Sequence, residues 1–325
     1  MKSEILKILK EAQDYVSGQS ICEQLQVSRT AVWKAVNRLK EEGYDIVSVT
    51  NRGYLLKESP DVITREEILS KIKTGKIASQ VVYFDETDST NTQAKLAAEQ
   101  GEKDGTLFVA DVQTAGKGRR GRSWVSPQGT GIWMTLLLRP KCPPDCASQL
   151  TLVAAMAVSQ AIRKVTGLEA KIKWPNDVVV HSKKVCGILT EMSAEEDYVN
   201  HVVIGIGINV NMCEFPPEIA ETATSLKIEL GKSVVRSTVI AEFAAAFEKY
   251  YAEYNKTYDL SRLCEEYNDN LVNAGRKVRV LGENEYNATA IGINDTGELI
   301  VIDEDGKRQY IRSGEVSVRG IYGYV

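Results

Sequence analysis

Histidine is scarce in this chain: two residues, His181 and His201, in 325. A histidine–cysteine zinc site or a serine–histidine–aspartate triad therefore has little to draw on. Long apolar runs are missing too. The most apolar helical stretch, "LTLVAAMAVSQAI" at 150–162, is too short to span a bilayer and carries Ser159 and Gln160. No charged start followed by an apolar segment opens the chain, so no export signal is expected. The six cysteines, at 22, 142, 146, 186, 213 and 264, are irregularly spaced and read as free thiols in a reducing compartment. The expected address is the cytoplasm, with no membrane partner. Internal repeats and low-complexity tracts are absent from the sequence.

What is present describes a soluble globular protein: 43% hydrophobic and 26% charged residues, over a length that calls for two or three domains. Residues 1–62 read as one small unit. "EILKILKEA" puts Ile5, Leu6, Ile8 and Leu9 on one helical face. "SGQSICEQLQ" gives a second, short helix. "VSRTAVWKAVNRLKEEGY" gives a third, with Ser28 as its N-cap and Gly43 as its stop. "DIVSVTNRGYLLK" then alternates around Asn51-Arg52-Gly53, a hairpin wing. Together these predict a winged helix-turn-helix.

Charge in this unit matters by position. Residues 1–60 hold nine Lys and Arg against eight Asp and Glu, a net of +1, while the other 265 residues carry −5. Yet Ser28 to Lys40 contains Arg29, Lys34, Arg38 and Lys40 and no acid, and Arg52 sits at the wing tip. A basic recognition helix and wing suit a major-groove reader, with Ser28, Arg29, Thr30, Lys34, Arg38 and Arg52 as the candidate DNA contacts. A protein-binding winged helix or a solvated helix face is the competing reading.

After the linker "KESPDV", Thr64-x-x-Glu67 forms a capping box, and residues 63–270 read as a second domain. Strands such as "VVYFDET", "TLFVADVQ", "GIWMTLLL" and "YVNHVVIGIGINV" alternate irregularly with helices at 90–100, 147–166, 237–256 and 260–269. Short connections between several strands predict a mixed sheet and an α+β class. Residues 271–325 contain five short alternating strands separated by turns, which predicts a small β-barrel of the SH3-like kind.

Within "QTAGKGRRGRSW", 113–124, Gly116-Lys117-Gly118-Arg119-Arg120-Gly121 spells G-x-G-x-x-G. A dinucleotide fingerprint needs a helix to open behind the glycines; here "SWVSPQGTGIWMTLLL" leads into another strand. No Walker G-x-x-x-x-G-K-[ST] is present either. The loop still points at an anion: its glycines permit close backbone approach, and Lys117, Arg119, Arg120 and Arg122 repel one another until a negative group arrives. Trp124 beyond it offers a flat face for a ring. A solvated basic turn is the plainer reading.

"DSTN" at 88–91, the glycine–arginine loop, "KWPND" at 173–177, "KKVCGIL" at 183–189 and "GIGINVN" at 205–211 follow one another in the order found in biotin–protein ligases. With its two flanking units the chain resembles the bifunctional ligases that also repress biotin operons. That resemblance implies ATP and biotin as substrates, with Mg²⁺ arriving on the ATP and no resident metal. It implies biotinoyl-AMP as intermediate and corepressor. The partners would be the biotin carboxyl carrier domains of acetyl-CoA or pyruvate carboxylase, operator DNA, and a second copy of the chain once biotinoyl-AMP is bound.

By the same resemblance Ser89, Thr90, Asn91 and Gln113 hold biotin, and Gly116, Lys117, Gly118, Arg119, Lys184, Gly205 and Gly207 line its cavity. Arg119, Arg120, Arg122, Trp124, Lys173, Asn176, Asn209 and Arg319 would hold the nucleotide. Lys184 and Arg119 would act at the carboxylate–phosphate junction, and Asp177 would orient or deprotonate the acceptor lysine. Lys117 stands where the family often has arginine, which keeps the charge and loses the bidentate fork. The segment 212–225 maps onto no motif. A lipoate-type ligase and a ligand-sensing repressor without catalysis are the alternatives.

Overall fold

A computed structural model describes residues 1–281, 285–312, 317–320 and 324–325, with the backbone alone for 317–319. At the N-terminus α1 (Lys2–Glu11), α2 (Gly18–Leu25) and α3 (Arg29–Glu41) pack around Ile5, Leu6, Leu9, Ile21, Val32, Val36 and Leu39. Ser17 and Ser28 cap α2 and α3 by accepting the backbone N–H groups of Ser20 and Ala31, at 3.0 and 3.2 Å. The wing is an antiparallel pair, β1 (Asp45–Val49) and β2 (Gly53–Glu58). The winged helix-turn-helix expected from the sequence is present.

The second unit opens with α4 (Arg65–Leu69), capped by Thr64, and is built on a seven-stranded sheet. Its elements follow as β3 (Val81–Thr87), α5 (Thr90–Glu99), β4 (Leu107–Gln113), β5 (Gly131–Leu138), α6 (Pro144–Ala147) and α7 (Leu150–Thr166). Then come β6 (Lys171–Lys173), β7 (Asp177–Val180), β8 (Lys183–Ala194), β9 (Val199–Asn209), α8 (Leu226–Leu230), α9 (Arg236–Tyr254) and α10 (Cys264–Asp269). Strand order is β3-β4-β5-β9-β8-β7-β6, with β3 and β4 parallel and the rest antiparallel, so the sheet is mixed as expected. Behind the glycine loop there is a three-residue 3₁₀ turn, Arg119–Gly121, and no α-helix.

The two sheet faces are used differently, because side chains alternate along each strand. Ile204, Ile206 and Ile208 of β9 face the large core with α7 and α9. Val203 faces the other way, packing with Phe108 and Leu137 against Ala94 and Ala98 of α5. Following Val203 on that second face are Gly205 and Gly207.

The C-terminal unit adds β10 (Lys277–Leu281), β11 (Tyr286–Ile293), β12 (Leu299–Asp303), β13 (Arg308–Ile311) and β14 (Ser317–Gly320). They form an antiparallel sheet in the order β13-β12-β11-β10-β14. Closure of that sheet into the expected barrel is not among the described residues. Its inner residues, Val278, Val280, Ala290 and Val301 among them, are continuous with the main core, whereas the winged helix has a core of its own.

What joins the winged helix to the sheet domain is ionic and buried. Glu67 of α4 is fully buried; it pairs with Lys10 of α1 at 2.6 Å and Lys71 at 3.1 Å. Tyr44 and Ser237 donate to the same carboxylate at 2.7 and 3.2 Å. Burial alone would raise its pKa; the donors, Lys10 first, overcome that and hold it below the ordinary carboxylate range. Glu67→Ala should cost about 3 kcal/mol, since Lys10 and Lys71 are left facing each other without a counter-charge. With the folded pKa depressed, the carboxylate's contribution should be complete above about pH 4.3 and fade as pH falls through the lower folded value. Urea unfolding of parent and variant across that range checks both points, and equal midpoints near neutral pH would remove the cluster from the stability of the fold.

Candidate active site

A cavity of about 460 Å³, counting its open mouth, lies over the glycines of β9. It forms at the start of α5, beyond which the sheet is uncovered. Gly187 of β8 is directly opposite Gly207, and Gly205 is two residues along the same face. At one end the wall is polar: Ser89, Thr90, Asn91 and Gln113. Leu189 and Trp124 give it an apolar stretch, and Arg119 and Lys184 gather beside Asp177; Lys117 lies by the polar end, where its ammonium donates to the Thr92 hydroxyl at 3.1 Å. No carboxylate is among the described lining residues.

The polar end is held by its own bonds. Gln113, at the end of β4, accepts from the Thr90 N–H at 2.9 Å and the Thr90 hydroxyl at 3.1 Å, so it caps the first turn of α5. The side chain of Ser89 does not cap that helix, leaving its hydroxyl to the cavity. Asn91 lies deeper. Its Oδ1 is 2.6 Å from the Thr135 hydroxyl, and its Nδ2 donates to Glu191 at 2.8 Å. Gly205 makes room for it, since a Cβ there would stand 2.2 Å from Asn91 Oδ1.

The glycine–arginine loop is folded by its own backbone. Trp124 N–H donates to Gly116 O at 2.8 Å and Gly118 N–H to Arg122 O at 2.7 Å. Gly116 is buried beneath this turn, where a Cβ would meet Trp124 O at 2.4 Å. The turn lays the Trp124 indole flat on the glycine floor: a Cβ at Gly207 would be 2.6 Å from it and one at Gly187 2.8 Å. Trp133 meets it edge-on at 6.4 Å, and Lys184 Nζ is 5.3 Å from the ring centre. The indole Nε1 is buried with no partner among the described residues.

Arg119 donates to Asn176 Oδ1 at 2.8 Å. Burial lowers its pKa, and the nearby Asp177 carboxylate opposes that; a guanidinium starting so high remains charged. Lys184 pairs with Asp177 at 2.6 Å, off the angle of a hydrogen bond and so chiefly a charge contact. The unmapped segment 212–225 supports this lysine from behind. Lys184 N–H donates to Thr222 O at 2.8 Å, and Thr224 N–H donates to Lys184 O at 2.9 Å.

Not every expected residue reaches the cavity. Arg120 and Arg122 point to solvent. Asn209 is buried and donates to Thr224 O at 3.2 Å, which braces the segment behind Lys184. Lys173 is buried beside the cavity under the ring of Tyr324. The Arg319 side chain is outside the described residues, although its backbone pairs with Arg279. On the winged helix, Ser28, Arg29, Thr30, Lys34, Arg38 and Arg52 are all exposed, and Trp33 beside them is 57% exposed. Arg29 is tied to Gln19, and Arg52 to Asp14 at 3.3 Å.

Comparison with known proteins matches this arrangement to a family. Residues 83–209 fit the biotin/lipoate A/B protein ligase family, 2–55 an HTH domain and 274–319 the biotin protein ligase C-terminal domain. The bifunctional ligase/repressor BirA of Bacillus subtilis is 39% identical over 310 residues, 94% of this chain and 95% of that protein. The chain belongs to the bifunctional ligase/repressor family of biotin ligases. Its Escherichia coli member is 32% identical over 94% of both chains. Among solved structures, the biotin protein ligase of Aquifex aeolicus in complex with biotin and ATP superposes with a TM-score of 0.65 at 32% identity. The match spans 74% of this chain and 99% of that one.

In this member of the ligase family the glycine floor and the indole form one contact, which gives a direct test. Gly207→Ala should drive Trp124 off the sheet, at a cost of about 1–3 kcal/mol for the overpacked position. Acrylamide quenching reads it: Trp33 is exposed while Trp133 and Trp174 are buried, so a second quenchable tryptophan should appear. An unchanged quenching curve would mean that the floor can yield without moving the ring.

Proposed function

We propose that this chain activates biotin with ATP to biotinoyl-AMP, transfers the biotinoyl group to a lysine of a carboxyl carrier domain, and represses biotin genes by binding operator DNA. The observation that carries the ligase half is the ordering of the cavity wall. A polar end, an apolar stretch at Leu189 and Trp124, and the cations Arg119 and Lys184 standing together suit a molecule with a polar head, an apolar body and an anionic tail. The residue division proposed is 1–62 for DNA, 63–270 for the active site and 271–325 for the C-terminal unit.

Biotin's carboxylate is ionised near neutral pH, so the first step needs no strong base. Its oxygen attacks the α-phosphorus of ATP and pyrophosphate leaves, with Mg²⁺ arriving on the nucleotide to neutralise that leaving group. The barrier is repulsion between anions, and Lys184 and Arg119 are the preorganised cations to offset it. Ser89, Thr90 and Gln113 would hold the ureido head, with Asn91 fixing the wall behind them. Trp124 would supply the flat face for a ring, and Asn176 would keep Arg119 aimed at the phosphate. Asp177, paired to Lys184, would receive the acceptor lysine.

For the repressor half, the exposed basic face of α3 and the wing is the support, with Arg29, Lys34, Arg38 and Arg52 on phosphates or base edges. One winged helix reads a short half-site, so selective repression calls for a homodimer, which biotinoyl-AMP would favour.

Lys184→Ala and Arg119→Ala should each slow biotin-dependent ATP–pyrophosphate exchange by about 10²–10³. Parent-like exchange in both would take these residues out of the chemistry. Separately, Arg38→Ala should lower the slope of log affinity against log salt for operator DNA by about one. An unaltered slope would place phosphate recognition elsewhere on the unit.

A further inference from the structure

The carboxylate of Asp177 has two oxygens, and both are engaged. Oδ1 faces Lys184 at 2.6 Å. Oδ2 accepts a hydrogen bond from the phenol of Tyr324, which reaches back from beyond β14. The ring of the same tyrosine lies under Lys173, whose ammonium is 3.6 Å from the ring centre. Lys173 and Asp177 are both buried, with 6% and 9% of their surfaces exposed. Between them, Trp174 donates from its indole to Gly297 O at 3.0 Å and from its backbone N–H to Asn273 at a second point. The C-terminal unit therefore grips the Lys173–Asp177 turn at Gly297 and touches its two charged ends through one side chain.

We propose that Tyr324 is a positioning residue for the acyl-transfer step, acting through Asp177 and Lys173; this rests on the ligase reading above. A carboxylate beside a lysine can rotate to offer it either oxygen unless a second donor fixes its plane. The Tyr324 phenol prevents that by keeping Oδ2 on the side away from Lys184. Lys184 then remains available to the phosphate, and Oδ2, which accepts from the phenol with one lone pair, keeps a second for an arriving ammonium. In transfer, the acceptor lysine gives up one proton to Asp177 Oδ2 as its ammonium becomes an amine. The nitrogen lone pair attacks the acyl carbon. The bond from that carbon to the phosphate oxygen breaks, AMP leaves with the electron pair, and the new amide nitrogen loses its second proton to water. Adenylation uses an already ionised carboxylate and makes no such demand on Asp177. The two half-reactions should therefore separate in a Tyr324 variant. The ring adds a second effect: an aromatic face under a desolvated ammonium holds Lys173 in place.

The test uses the full chain and two variants, Tyr324→Phe, which keeps the ring and loses the hydroxyl, and Tyr324→Ala, which loses both. Single-turnover transfer from preformed biotinoyl-AMP to a biotin carboxyl carrier domain is measured against biotin-dependent ATP–pyrophosphate exchange. The ratio of transfer to exchange should fall about tenfold in Tyr324→Phe, the worth of one hydrogen bond to a charged group. Brief acetic anhydride labelling, read by mass spectrometry, should acylate Lys173 severalfold faster in Tyr324→Ala. A ratio within about twofold of the parent, well under the loss of such a bond, overturns the proposal, as does an equal fall of both half-reactions. If the parent chain shows no biotin-dependent exchange, the ligase reading fails by itself. Lys173 labelling then decides the contact: equal labelling in parent and Tyr324→Ala removes it. Should Tyr324→Ala prove unfolded, the Phe variant still decides the transfer step.

Discussion

The site depends on side chains that are absent from the middle of a sheet. Gly187 and Gly207 are paired across β8 and β9, and Gly205 follows on the same face. A seven-stranded sheet ordinarily covers each face with packed side chains. Here α5 covers the face as far as Val203, and beyond it there is nothing to bury. Whatever rests there must come from outside the strands. In this chain it is Asn91 over Gly205 and the Trp124 indole over Gly187 and Gly207. The loop that carries Trp124 also carries Arg119, so contact between an aromatic ring and a bare floor decides where a cation stands. Loop, floor and charge form one unit, and the indole Nε1 at its centre is a polar atom that no described residue satisfies.

Much of this was legible in the sequence. Alternation and turn residues gave the strands their places, and the failure of a helix to follow Gly116-Lys117-Gly118-Arg119-Arg120-Gly121 correctly excluded a dinucleotide fold. The ordered motifs named most of the cavity wall. What the sequence could not show were partners distant along the chain. Gly205 reads as room for a ligand, yet the nearest atom is Asn91 Oδ1, more than a hundred positions away, because only the folded sheet brings them together. Asn209 sits inside a motif and nonetheless serves the main chain at Thr224. Segment 212–225 carries no signature because it works through backbone bonds to Lys184, and backbone bonds leave no residue preference to read. Tyr324 had no local pattern at all. One signal was within reach: Gly187, in "KKVCGIL", follows the candidate lysine by three positions in an otherwise apolar strand, a place where glycine weakens a sheet unless something lies close against it.

The join between the winged helix and the sheet domain is a second organising element. Besides the Glu67 cluster, it contains Arg236 at the start of α9, which is buried and shared by three parts of the chain. It binds Asp61 of the linker through its backbone N–H at 2.8 Å and its Nε at 3.0 Å. The same guanidinium donates to Asp111 of β4 at 2.9 Å and to Gly131 O at the start of β5 at 3.2 Å. Asn211, just past β9, donates to Asp61 Oδ2 as well, at 3.0 Å. Asp111 is two residues from Gln113, and Gly131 is the cross-strand neighbour of Asn209. The linker residue is thus clamped to β4 and β5, the strands beside the cavity floor. Mechanically, it is a spoke fixed at its hub, not a tether: a displacement of β4 against β5 at the cavity must re-aim the guanidinium, and with it the direction in which the reading head leaves the body.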